Sequence, residues 1–181
     1  LNMQIECTSI TLSKEDLEKQ LQKKGTLWLN KLFTCGRTVS NIELKYVEYL
    51  ILEYKISFRQ NLGTMLSGNR EQENMQSIRM IGNGSTGSVA LLEMLPSLEV
   101  KDVPETMIQP KDYGPEDMKS DSKQVAVVFS RKMLGKRCRA IELTGVTSIY
   151  RPFWAVYFGE ARADGKMLCR PYAADGFTIK R

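Results

Sequence analysis

The stretch Tyr150-Arg151-Pro152-Phe153-Trp154-Ala155-Val156-Tyr157-Phe158 constrains this chain more than any other, because it has to be a strand. Pro152 would remove an amide donor and clash with the preceding turn in a helix interior. The aromatic and β-branched residues around it suit a pleated, half-buried surface. Alternation puts Tyr150, Pro152, Trp154, Val156 and Phe158 on one face, and Arg151, Phe153, Ala155 and Tyr157 on the other. Both faces carry large apolar groups, so both are expected to be partly covered. An echo stands earlier in the chain: placing Tyr46 on Tyr150 also sets Tyr49 on Phe153, Leu50 on Trp154 and Leu52 on Val156. Asn41 to Phe58 is therefore read as one long strand, bent or preceded by a shorter one, in preference to the helix that its Glu and Leu residues would also suit.

The remaining elements follow from their distance to these two strands. Ile5, Cys7 and Ser9 alternate in a short edge strand or extended lead-in. Ser13 followed by Glu15 and Asp16 caps a helix starting near Lys14, since a hydroxyl satisfies orphan amides and acidic groups complement the helix dipole. Leu17, Leu21, Trp28 and Leu32 continue it at helical spacing, with Gly25 as a kink or break. Arg59 to Asn74 reads as a long polar hairpin loop, Gln76 to Ile81 as the returning strand, and Asn83-Gly84-Ser85-Thr86-Gly87 as a tight turn into Ser88 to Leu92. Four prolines between Leu95 and Pro115 mark a linker. Ser120 to Arg139 carries a second helical stripe of Val125, Val128, Phe129 and Met133, and Ile141 to Ile149 leads into the aromatic strand. Asp164-Gly165 turns the chain into Met167 to Ala173, and Asp175-Gly176 precedes a last strand at Phe177 to Lys180. The predicted fold class is α+β: two tandem helix-plus-antiparallel-sheet modules of order α-β-β-β. The first spans 1–95, the linker 96–115 and the second 116–181. Duplication and convergent hairpin composition account equally well for the echo.

Composition narrows the chemistry. The 181 residues contain no histidine, which removes the usual general base, the Ser-His and Cys-His pairs and the commonest metal ligand. Cys7, Cys35, Cys138 and Cys169 form no CxxC pair, so free thiols are expected, with no metal and no cofactor. Glu48 and Glu53 fall on opposite faces of a regular strand, which argues against a carboxylate dyad. Asn83 to Gly87 fits neither phosphate-loop pattern. No apolar run approaches the roughly 20 residues that a transmembrane helix needs. With 26 basic and 21 acidic residues the net charge is +5, a weak bias toward anionic partners.

The second module, through Pro152-Phe153-Trp154-Ala155-Val156-Tyr157, Asp164-Gly165-Lys166 and Tyr172-Ala173-Ala174-Asp175-Gly176, resembles the PepSY-like and, more loosely, the cystatin-like small α+β domains. The resemblance covers about sixty C-terminal residues, and Thr178-Ile179 replaces the Thr-Gly that normally continues the family's turn. It implies a non-catalytic module that packs against peptidases, membrane-anchored enzymes or envelope components, often outside the cytoplasm.

The leading expectation is a non-catalytic binding or regulatory module that contacts a protein partner through an exposed sheet face or an inter-module groove. Tyr150, Arg151, Phe153 and Tyr157 are its candidate contacts, because aromatics with arginine make good interface anchors. The alternative is nucleic-acid binding through Arg131, Lys132, Lys136, Arg137 and Arg139, five cations crowded at a helix end. Those cations also suit the negative end of the helix dipole, the plainer reading. A third class is a small-ligand carrier or enzyme with a cavity under a curved sheet. Exposed edge strands would also permit a homodimer.

Overall fold

A computed structural model describes residues 1–23, 36–59 and 75–179. Among them are eight strands and two α-helices. They are β1 (Asn2–Thr8), α1 (Lys14–Gln22), β2 (Val39–Phe58), β3 (Met75–Asn83), β4 (Val89–Leu91), β5 (Leu98–Pro104), β6 (Ile108–Gln109), α2 (Lys119–Leu134), β7 (Cys138–Phe158) and β8 (Leu168–Ala173). A 3₁₀ turn at Glu105–Met107 joins β5 to β6. The continuation of α1 through Trp28 and Leu32, with Gly25 and Cys35, lies outside the described residues. So does the loop 60–74. No strand forms at 177–179, where a last one was expected.

The two echoing strands control the architecture through their length. β2 has 20 residues and β7 has 21, about twice the usual upper limit of roughly 10. At about 3.3 Å per residue each has a contour of about 65 Å. α1 and α2, with 9 and 16 residues, are only about 14 and 24 Å long at 1.5 Å per residue. Neither helix can cover a whole long strand. The expected two tandem α-β-β-β modules are accordingly not what forms. All eight strands belong to one mixed sheet, ordered β4-β3-β2-β7-β1-β5, with β6 on β2 and β8 on β7. The pairs β1 with β7 and β6 with β2 are parallel, where wholly antiparallel sheets were expected.

The chain divides into two compact units, each drawn from three stretches: Leu1–Val47, Pro96–Gln109 and Tyr150–Phe177 in unit 1, and Glu48–Leu95, Pro110–Ile149 and Thr178–Arg181 in unit 2. Each unit therefore holds one helix, the start of one long strand and the end of the other. In unit 1, Ser13 caps α1, its hydroxyl accepting from the Asp16 amide. Leu17 and Leu21 of α1 pack with Val156 and Phe158 of β7, and with Trp154, Leu168 and Tyr172 around them. A second cluster joins Ile5 and Cys7 of β1 to Tyr46, Val103 and Tyr150, bringing the two echoing tyrosines together. In unit 2, Leu50, Leu52, Tyr54, Ile56 and Phe58 alternate along β2 toward Ile78, Met80, Met118 and Ala126. Val125 and Phe129 of α2 close that core. Fully burying side chains of this size contributes about 1.5–3 kcal/mol each, which is what holds the helix on the sheet.

Candidate functional site

Unit 1 disposes of half of the aromatic contact surface expected from the sequence. Tyr150 and Arg151 are only 8% and 4% exposed, so both are interior groups. Arg151 Nε and Nη2 donate to Asp175 Oδ2 and Oδ1 at 2.9 and 2.8 Å, and Nη2 also donates to the Phe177 carbonyl at 2.7 Å. Thr8 Oγ1 donates to Asp175 Oδ2 at 2.6 Å. The guanidinium lies 5.4 Å from the Phe153 ring centre and 5.1 Å from that of Phe177. A planar fork that satisfies a buried carboxylate twice while stacking on rings is what makes arginine tolerable in an interior. The arrangement ties residues 174–177 to β7. Phe153 and Tyr157 are half-buried.

A second polar cluster lies in unit 2. Glu48 accepts from Lys111 Nζ and, at 2.8 Å, from Ser148 Oγ, while the Gly84 amide donates to the Glu48 carbonyl at 3.0 Å. Burial pushes the Glu48 carboxyl up, but the hydrogen bonds from Lys111 and Ser148, together with the Lys111 charge, outweigh it and hold the group below its ordinary value. Glu53 is half-exposed and bonded to Arg79. The two carboxylates keep to separate partners, as strand alternation requires.

The basic helix end is built differently. Gly135 ends α2 in the left-handed conformation, with φ of 62°, and its amide and that of Lys136 both donate to the Ser130 carbonyl. This αL cap turns the chain sharply from helix into β7. The Arg59 amide, just past the end of β2, donates to the Arg137 carbonyl at 2.9 Å, fastening that strand end to the turn. Between them opens a cleft of about 260 Å³ lined by Arg59, Val127, Arg131, Lys136, Arg137 and Cys138. Of the six described residues that line it, four are cations and none is a carboxylate. Lys136 Nζ sits 5.1 Å from the centre of the Phe58 ring, which helps to hold the ammonium in place. Burial pushes the Cys138 thiol up against the opposing effects of Lys123 and a Ser130 hydrogen bond, so the thiol adds no negative charge at neutral pH.

Of the five cations singled out by sequence, all are exposed; Arg131, Lys136 and Arg137 line the cleft and Lys132 and Arg139 do not. Arg59 was missed. Its signal was the pairing of the two long strands: the Ser57 hydroxyl donates to the Ala140 carbonyl and the Thr144 hydroxyl to the Glu53 carbonyl. That antiparallel register carries the first residue beyond β2 to the turn before β7. Among the described residues, no three His, Cys, Asp or Glu side chains are placed to share a metal ion, and no helix is long and apolar enough to cross a membrane. No protein-family model matches the chain, and neither a curated protein nor a solved structure does.

Proposed function

We propose that this protein binds single-stranded nucleic acid through its phosphates, with the basic cleft of unit 2 as the point of attachment. The observation that carries the reading is the convergence of Arg59, Arg131, Lys136 and Arg137 on one cleft that, among the described residues, no acidic side chain lines. Three of the four are arginines, whose planar forks match phosphate oxygens bidentately. A helix C-terminus attracts cations by itself. It does not account for Arg59, which arrives from a strand and is fixed there by its own backbone bond.

Among the described residues no aromatic side chain lines the cleft, and Phe58 beneath Lys136 is buried. What these residues offer a strand is charge, which reads phosphates with little dependence on sequence. Lys132 and Arg139 are exposed to either side in the chain and extend the positive surface. The contrasting reading, a protein partner held by Tyr150, Arg151, Phe153 and Tyr157, has lost its first two anchors to the interior.

Fluorescence anisotropy of a labelled single-stranded oligonucleotide tests the proposal. Saturable binding is expected at low salt, weakened at least tenfold by the paired change Arg131→Glu and Arg137→Glu, since reversing two contacts costs more than the 1.4 kcal/mol that a factor of ten represents. Equal binding by the variant would overturn it.

A further inference from the structure

Four cations at one cleft are more charge than a continuing strand can use. The cleft is small, at about 260 Å³, and a short piece of a continuing strand, about two phosphodiesters, brings one charge each. A strand ending in a phosphate brings more: the monoester carries about −1.5 to −2 at pH 7, with the next diester adding one. That total of about three is closer to the four cations present. The lining points the same way. Val127 and Cys138 are short and uncharged, and among the described residues that line the cleft there is no ring for a base and no carboxylate to compete for the arginines.

The geometry is also that of a local receptor more than of a track. A track for a passing backbone repeats its cations along a groove. Here Arg59 and Arg137 are drawn together by one backbone hydrogen bond, and Arg131 and Lys136 stand on either side of the Gly135 turn. From this we infer that the cleft holds the phosphorylated end of a nucleic-acid strand, a terminal phosphomonoester together with its neighbouring diester. The inference rests on the nucleic-acid reading above and names which part of the strand the site takes.

One labelled oligonucleotide sequence, prepared with a 5′-phosphate, with a 3′-phosphate and with hydroxyls at both ends, distinguishes the possibilities by anisotropy titration at fixed salt. A phosphorylated end is expected to bind about tenfold more tightly than the hydroxyl-ended strand, the effect of one added charge-assisted contact. Preference for one end, or for both, supports the inference, and Arg59→Gln should erase that preference. Equal affinity for all three strands would overturn it while leaving the nucleic-acid reading intact. If no strand bound even at low salt, both would fall.

Discussion

Arg151 shows how one residue can change meaning between sequence and structure. Next to Phe153 in a strand it reads as an interface anchor; in unit 1 it is the interior partner of Asp175. Sequence alternation placed it on a face with Phe153 and Tyr157, but could not say that residues 174–177 would cover that face. Nothing local in Asp175-Gly176 signals that its carboxylate reaches back to a strand. Breaking one side of such a pair leaves a buried charge uncompensated, so Arg151→Met should cost about 3–5 kcal/mol in urea denaturation. Replacing the exposed Lys132 by Gln should fall within about 0.5 kcal/mol of the parent.

Glu48 makes a prediction in pH. Its carboxyl is held below its ordinary value in the folded state, so the folded protein binds that proton less readily than the unfolded chain does. The resulting stability is fully present above the unfolded value of about 4.3 and is lost as pH falls through the lower folded value. Glu48→Gln should therefore flatten the acid limb of a plot of urea midpoint against pH below about 4.3, and an unchanged limb would contradict the assignment.

At the scale of elements, the strands were legible and their coverage was not. Pro152 and the aromatic alternation identify β7, and Ser13 with Asp16 identifies the start of α1. The capping hydroxyl and the strand period are local signals. Whether a helix covers the strand that follows it is not local, and here each long strand passes out of its helix's unit. The stretch 96–115, whose prolines suggested a linker, carries β5 and β6, with Pro104 closing β5. Proline at a strand end on a sheet edge sacrifices no ladder bond. The Asn83-Gly84 turn is legible from its residue types, but Gly84 is needed there for close approach and not for a positive φ. A Cβ on Gly84 would lie 2.6 Å from the Glu48 carbonyl oxygen and 2.6 Å from Lys111 Cβ. Gly84→Ala should thus force the backbone apart and cost about 1–3 kcal/mol, with the loss read from the urea midpoint.

For the whole molecule, a net charge of +5 says little until the structure shows where the positive charge collects. The cleft was half visible in the sequence. Arg131, Lys136 and Arg137 are neighbours in the chain; Arg59 is brought to them only by the register of two long strands. The central claim is that these four cations bind phosphates, and counterion release measures that directly. The plot of log affinity against log salt for a single strand should have a slope between about −1.4 and −2, from about −0.7 for each of the two to three phosphate charges that the cleft holds. Arg59→Gln should reduce its magnitude by about 0.7. A slope near zero, or one that the substitution leaves unchanged, would contradict the account.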